Sequence, residues 1–182
     1  VLVTSPAGHV LIDAGTPKSP AAIAASIRKL GFKVEDVKYI LTSHEHYDHV
    51  GGVAELQKMT GATAVGSMKS AAGLASGSAT PADSHPGSMK SEPVLASGKP
   101  NPADPQLGSL PDMPPVANTR AVRDGDVITV GPLAITAHDT PGHTPGGLSW
   151  TWQSTENGRT AHMVYADSLN AFGLHGFRYG GD

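Results

Sequence analysis

A run of metal-ligand side chains directly after an apolar stretch constrains this chain more than any other feature. Val37 to Leu41 is apolar enough for a buried strand, and Ser43 to Gly52 follows it as Ser-His-Glu-His-Tyr-Asp-His-Val-Gly-Gly. Within six positions this loop carries four potential metal ligands: His44, His46, Asp48 and His49. Imidazole nitrogens and carboxylate oxygens suit zinc, which binds few donors. The sequence therefore predicts a metal site where a buried strand ends.

The spacing within the loop indicates two ions and not one. His44 and His46 are two positions apart at a strand end, so alternation puts both rings on one side. Asp48 and His49 lie past the bend and can turn toward a second ion. Gly51-Gly52 then lets the backbone tighten into a helix start.

A second loop contributes another histidine. Thr140 to Gly147 reads Thr-Pro-Gly-His-Thr-Pro-Gly-Gly, which places His143 in a tight turn after a predicted strand. Structural zinc sites are usually closed by four ligands and often use Cys. This chain has no Cys and offers more ligands than one tetrahedral ion needs. The pattern therefore favours a catalytic, two-metal site.

Ser43 to Gly52 resembles the His-x-His-x-Asp-His signature of the metallo-β-lactamase superfamily, and His143 matches its next ligand motif. Softer motifs resemble subclass B3 metallo-β-lactamases: Asp104-Pro-Gln106, Pro114-Pro-Val116, Leu148 to Trp152, Val164 to Asn170 and Gly176 to Tyr179. The resemblance spans nearly the whole chain and implies an αβ/βα sandwich of the metallo-β-lactamase type, an α/β fold. Val1 is not an initiator, so we expect an incomplete domain over 1–182 that lacks the family's first strands and its C-terminal segment.

The resemblance also implies roles for individual residues. His44, His46 and His143 would bind the first zinc ion, and Asp48 and His49 the second. The family completes the second site with one more C-terminal His, for which this chain shows no match. Asp48 would also orient the attacking water. Ser168 would face the substrate or a zinc-bound water, and Asn170 would lie near the substrate carboxylate. Glu45 could be a group that orients a ligand, but a solvated carboxylate is favoured.

The activity implied is zinc-dependent hydrolysis of the β-lactam amide bond in penicillins, cephalosporins and carbapenems, which gives antibiotic resistance. By the same resemblance the protein would be a periplasmic or secreted monomer. An inactive metal-binding fragment is one alternative. Another is a glyoxalase II-like thioesterase or a lactonase, because Ala166-Asp167-Ser-Leu169 also resembles a motif whose Asp bridges both metals. A net charge of -3 gives no hint of nucleic-acid binding.

Periodicity and turn signals predict the remaining elements. We expect one helix from the Ser19 cap and Pro20 to the Gly31 stop, and another over Val50 to Met59 that ends near Gly61. Predicted strands are Val10 to Ile12, Lys38 to Thr42, Thr63 to Val65, Asp126 to Val130, Leu133 to Ala137, Leu148 to Trp152 and His162 to Tyr165. Gly131-Pro132 and Asn157-Gly158 are predicted to form turns between the late strands. Trp150 and Trp152 share one strand face, which favours a core position.

The middle of the chain contains a tandem duplication. Gly66-Ser-Met-Lys-Ser70 returns as Gly87 to Ser91, Leu74 to Gly77 as Leu95 to Gly98, and Pro81 to Asp83 as Pro102 to Asp104. Every match has an offset of 21, and 12 of 18 positions are identical. Two copies are too few for a stacked core, so the segment at about 66–107 is expected to be a Gly/Ser/Pro-rich loop region and not a solenoid. The hypothesis is that the extra copy lengthens a flap beside the metals and alters substrate range.

Overall fold

Two β-sheets and a layer of helices make up the described part of the chain, which comprises residues 1–68, 98–99, 106 and 113–170 of this computed structural model. The first sheet contains β1 (Leu2–Ser5), β2 (Gly8–Ile12), β3 (Val37–Leu41), β4 (Thr63–Ser67) and β5 (Thr119–Val122), in that order. The second contains β6 (Val127–Val130), β7 (Leu133–Asp139), β8 (Leu148–Glu156) and β9 (Arg159–Tyr165). The helices are α1 (Pro20–Lys29), α2 (Tyr47–Val50) and α3 (Val53–Thr60), with a 3-10 turn at Val34–Asp36.

The first sheet places the loop with the candidate metal-binding residues at an edge of the sheet where small molecules and ions commonly bind. Strands β2 to β5 run parallel, and β1 pairs antiparallel with β2. Every residue of β2 is buried, as expected for a parallel strand covered on both faces. Open α/β sheets bind ligands beyond the carboxyl ends of their parallel strands. The chain leaves β3 at this edge and enters the loop that begins at Ser43.

Alternate residues of the first sheet build two separate cores. Leu11 and Ile40 pack with α1 and α3, whereas Ile12 and Leu41 pack with the second sheet. Trp150 on β8 is fully buried in the second core, which confirms its expected core position, whereas Trp152 is partly buried and packs against the same core. The described residues thus form a helical layer, the first sheet and the second sheet in that order, which agrees with the αβ/β part of the predicted αβ/βα sandwich.

The second sheet is an antiparallel meander with two tight turns. Gly131-Pro132 joins the paired residues Val130 and Leu133. Asn157 and Gly158 have φ of 51° and 75°, the left-handed pair that a type I′ hairpin requires, and they join β8 to β9. Both turn predictions are confirmed. The two strands are longer than predicted because the two-residue turn keeps Glu156 paired directly with Arg159.

The helix after the ligand loop begins later than predicted. A separate short turn covers Tyr47–Val50, and α3 starts only at Val53. Gly52 explains the break, because its N–H donates to Gly15 O at 3.0 Å and a Cβ there would collide with the carbonyl of Ala14. The Gly51-Gly52 pair therefore precedes the helix and also allows this loop to lie close to the segment Ala14 to Pro17.

Two local expectations also differ from the structure. Ser19 occupies the N-cap position of α1, but its Oγ accepts from the Thr16 N–H at 3.1 Å and does not cap the helix. Strand β5 was not predicted, since four residues after a Pro-rich segment carry little pattern. Its buried residues, Thr119 and Val122, face the interior once β5 pairs with β4.

Several sequence predictions fall outside the described residues. Most of the tandem duplication at 66–107 does so, as does the segment Gly176 to Tyr179. Within the described ranges, none of the helices combines the length and apolar character needed to cross a membrane.

The difference between buried and exposed residues on the second sheet can be tested by measuring the free energy of unfolding. Ile135 is fully buried on β7, whereas Val164 on β9 is 65% exposed. We expect Ile135→Ala to lower the free energy of unfolding by about 2–5 kcal/mol because it leaves a cavity. Val164→Ala should change it by less than about 0.5 kcal/mol. Equilibrium urea denaturation measures both, and equal losses would contradict the assigned layers.

Candidate metal centre

Three histidines from two different sheets meet at one point. His44 and His46 follow β3, and His143 lies in the loop between β7 and β8. One ring nitrogen from each falls within 4.8 Å of the others. The ring centroids are 4.7–4.9 Å apart and the rings are nearly perpendicular. This arrangement could hold a metal ion, because three imidazoles leave a fourth, open position.

Asp167 fixes the orientation of the His44 ring. Its Oδ1 lies 2.8 Å from Nδ1 of His44, and both side chains are almost completely buried. Nδ1 donates to the carboxylate, so Nε2 carries the lone pair that can bind a metal. Metal-binding histidines commonly donate their other nitrogen to a carboxylate in this way. Asp167 therefore sits behind the ligand ring and not among the ligand atoms.

A backbone carbonyl orients the His143 ring. Nδ1 of His143 donates to Asn170 O at 2.8 Å, which again leaves Nε2 for a metal. Burial lowers the pKa of His143, and the neighbouring rings of His44 and His46 lower it further, against the opposing effects of Asn170 and Asp167. A neutral imidazole is the form that coordinates metals.

Asp48 and His49 form a pair beside this triad. Nε2 of His49 lies 3.7 Å from Oδ2 of Asp48, and the His49 ring centroid is 4.0 Å from that of His44. Asp48 is 69% exposed. Within the described ranges these two residues make a pair and not a group of three ligands. The His49 ring thus lies beside the triad, and binding of a second ion by Asp48 and His49 stays a prediction.

Asp13 is a residue of the site that the sequence analysis did not identify. Its carboxylate accepts four hydrogen bonds of 2.7–2.8 Å. The donors are the Ser43 N–H, the Ser43 hydroxyl, His49 Nδ1 and the Tyr165 hydroxyl. A signal existed, because Asp13 directly follows a buried parallel strand whose carboxyl end adjoins that of β3.

These hydrogen bonds lower the pKa of the Asp13 carboxyl. Burial alone would raise the pKa of its carboxyl, but the hydrogen bonds from His49, Ser43 and Tyr165 and the charge of His49 lower it overall. For His49, burial would lower the pKa, but the hydrogen bond to Asp13 and the charges of Asp13, Asp48 and Asp167 raise it. Burial and Asp13 raise the pKa of Tyr165, which keeps its hydroxyl protonated as a donor.

Glu45 corrects one expectation. The sequence analysis expected a solvated carboxylate, but Glu45 is only 2% exposed. Its Oε2 accepts a hydrogen bond from Thr144 Oγ1 at 2.9 Å, and Thr144 is itself fully buried. The expectation was wrong because the side chain between His44 and His46 points into the seam between the two sheets.

Ser168 and Asn170 lie beside the triad. They line a pocket of about 300 Å³ together with Thr140, Pro141, Gly142, His143, Ser149, Asp167 and Leu169. The Ser168 hydroxyl accepts from the Asn170 N–H at 3.4 Å, so the two residues share one turn. The structure thus brings both predicted substrate-contacting residues to a cavity that opens onto His143.

The described residues form a helix–sheet–sheet sandwich with a histidine triad at one edge, and this triad could hold a metal ion. The family model of the metallo-β-lactamase superfamily matches residues 1–170. The chain belongs to the metallo-β-lactamase superfamily.

Solved structures of subclass B3 enzymes are similar to the whole chain. MEM-A1, a subclass B3 metallo-β-lactamase from a soil metagenome library, is 55% identical, with a TM-score of 0.85 over 100% of this chain and 61% of its own. Rm3 metallo-β-lactamase is 49% identical, with a TM-score of 0.85 over 100% of this chain and 60% of its own. The chain thus spans about 60% of the length of the solved enzymes it matches.

Curated relatives match shorter stretches. A UPF0173 metal-dependent hydrolase of Anaeromyxobacter sp. (strain K) is 47% identical over 64 residues, which cover 34% of this chain and 21% of the relative. One from Staphylococcus aureus (strain JH9) is 48% identical over 42 residues, 23% of this chain and 18% of the relative. These names agree with a metal-dependent hydrolase and specify no substrate.

The Asp13 hydrogen bonds give a second stability test. Asp13 has a φ of 61°, a conformation that Asn tolerates, so Asp13→Asn leaves the backbone unstrained. The substitution replaces one carboxylate oxygen with an NH2 group, which cannot accept hydrogen bonds from the surrounding donors. We therefore expect a loss of about 1–3 kcal/mol in the free energy of unfolding. Asp126→Asn is the matched control, since Asp126 accepts from the Arg123 N–H in an exposed turn. A loss at Asp13 no larger than at Asp126 would contradict its role.

Proposed function

We propose that this protein is a zinc-dependent β-lactamase of the subclass B3 type, which hydrolyses the amide bond of penicillins, cephalosporins and carbapenems. The observation that carries the proposal is the triad of His44, His46 and His143, each on a loop of a chain that is similar along its whole length to B3 enzymes. Superfamily membership alone would leave the substrate open.

The donor set fits zinc. Asp167 and the Asn170 carbonyl hold the rings of His44 and His143 so that one nitrogen of each remains for a metal. Three nitrogen ligands with one open position are typical of catalytic zinc, and the described chain adds no sulfur donor. When bound, zinc polarises a carbonyl and lowers the pKa of a bound water to about 7.

The remaining site residues supply positioning. Asp48 and His49 would hold a second zinc ion, and the exposed carboxylate of Asp48 would accept a hydrogen bond from the attacking water and orient it. Ser168 and Asn170, in the pocket beside His143, would contact the substrate carboxylate. Ser168 is not proposed as a nucleophile, because hydrolysis by an activated water needs no covalent enzyme intermediate.

The position of Asp167 favours a β-lactamase over a glyoxalase II-like thioesterase. A bridging Asp would place its carboxylate among the ligand nitrogens, whereas Oδ1 of Asp167 is paired with the far nitrogen of His44. This supports the B3-like role of Asp167 as an orienting group. Resistance to β-lactams, carbapenemase activity, a periplasmic or secreted location and a monomeric state belong to the same proposal.

Chelation tests the proposal directly. We expect the complete zinc-loaded protein to hydrolyse a carbapenem and a penicillin, followed by loss of their ultraviolet absorbance. A chelator should abolish turnover and added zinc should restore it, since the proposed nucleophile is a water activated by zinc. Zinc binding without turnover on any β-lactam would refute the proposed substrate class.

A matched pair of histidine variants controls this experiment. His143→Ala should abolish turnover, whereas His138→Ala should leave it near wild type. His138 lies on β7 and its ring bonds the Thr151 hydroxyl at 2.7 Å, outside the triad. Similar losses in both variants would indicate damage to the fold and not to a metal ligand.

The roles of Asp48 and Ser168 predict unequal losses. Asp48→Ala removes a proposed ligand that also orients water, and we expect kcat/KM to fall by about 100-fold or more. Ser168→Ala removes only a substrate contact, and we expect a fall of less than about 10-fold. Steady-state kinetics on one carbapenem compares them, and comparable losses would contradict these assignments.

A further inference from the structure

A buried hydrogen bond joins the immediate neighbours of all three triad histidines. Glu45 stands between His44 and His46 in the sequence, and Thr144 directly follows His143. Thr144 Oγ1 donates to Glu45 Oε2 at 2.9 Å across 99 positions of the chain. Glu45 is 2% exposed and Thr144 is fully buried. Charged side chains are rarely so buried unless a partner satisfies them.

This contact belongs to a seam between the two sheets. The Leu148 N–H donates to Ser43 O at 2.6 Å, and Trp150 Nε1 donates to Thr42 O at 3.1 Å. Both bonds hold the strand ends from which the two ligand loops depart. The Glu45–Thr144 bond differs from them because it joins the loops themselves, within one residue of each ligand.

We propose that the Glu45–Thr144 hydrogen bond is a positioning contact that sets the separation between His143 and the His44–His46 pair and thereby strengthens metal binding. The inference rests on the proposed metal site. Neither residue touches the metal or the substrate in this role, and both act through the histidines beside them.

The physical reason is the origin of the ligands in separate sheets. Rotation or sliding of the sheets would move His143 relative to the other two rings without breaking any bond within either loop. A hydrogen bond to a carboxylate is shorter and stronger than one between neutral groups, so it restricts this movement. Groups that orient ligands in this way typically change metal affinity by about 10- to 100-fold.

The test compares threonine variants of the complete protein for binding of Co²⁺ and Zn²⁺ by chelator competition. Thr144→Val removes the hydroxyl at nearly constant volume, and we expect binding to the triad about 10-fold weaker than in wild type. Thr144→Ser keeps the donor and should retain wild-type affinity. Thr151→Val is the matched control, because it removes a threonine hydroxyl that bonds His138 away from the triad.

A second readout separates positioning from stability. The Co²⁺ absorption spectrum reports ligand geometry, so it should change in Thr144→Val and stay unchanged in Thr144→Ser and Thr151→Val. Equal affinity and spectrum in Thr144→Val and wild type would overturn the inference. A wild-type protein that binds neither metal would instead refute the proposed metal site.

A second variant, Glu45→Gln, tests the same hydrogen bond from its acceptor side. Its neutral amide oxygen accepts a weaker hydrogen bond, so we expect metal affinity a few-fold below wild type. If Thr144→Val does not fold, Glu45→Gln decides the question, and wild-type affinity in that variant would count against the inference.

Discussion

The candidate metal centre depends on how two sheets pack against each other, because its three histidines leave different sheets. His44 and His46 follow a strand of the first sheet, whereas His143 follows one of the second. The second core, with the fully buried Trp150 at its centre, fixes the distance between the sheets. Close apolar packing limits how far the two sheets can move apart or together. The hydrogen bond from Trp150 Nε1 to Thr42 O, which is directional, also restricts their relative rotation.

Three carboxylates surround the histidines and contribute in different ways. Asp167 orients a ligand ring, Glu45 joins the two ligand loops, and Asp13 collects donors from Ser43, His49 and Tyr165. Each carboxylate would be costly to bury alone, and each accepts at least one hydrogen bond. Together they orient the rings and hold the loops that would bind a metal ion.

The sequence predicted local elements well where a residue type has one structural use. Gly31, Gly61 and the Asn157-Gly158 turn require left-handed backbone, and all three were placed correctly. The candidate metal ligands could be predicted because four of them crowd into six positions. Strand β5 was missed because its four residues become a strand only by pairing with β4, a contact that local pattern does not encode.

The residues that orient the ligands were harder to find for the same reason. Asp13 and Asp167 lie 30 or more positions from the histidines they bond, and Thr144 lies 99 positions from Glu45. A carboxylate between two ligand histidines is ordinarily solvated, so its burial follows only from the packing of the second sheet over the loop. Local spacing identifies ligands, whereas the groups that hold them are defined by tertiary contacts.

Close packing around the centre also restricts which residues can be accommodated. A Cβ at Gly147 would collide with the Asp167 carboxylate, and one at Gly52 with the Ala14 carbonyl. Asp13 keeps a left-handed backbone, a conformation that Asp and Asn adopt more readily than other non-glycine residues. In this conformation its carboxylate accepts four hydrogen bonds from Ser43, His49 and Tyr165. The backbone conformation at Asp13 therefore places the acceptor that orients His49 and holds the start of the loop at Ser43.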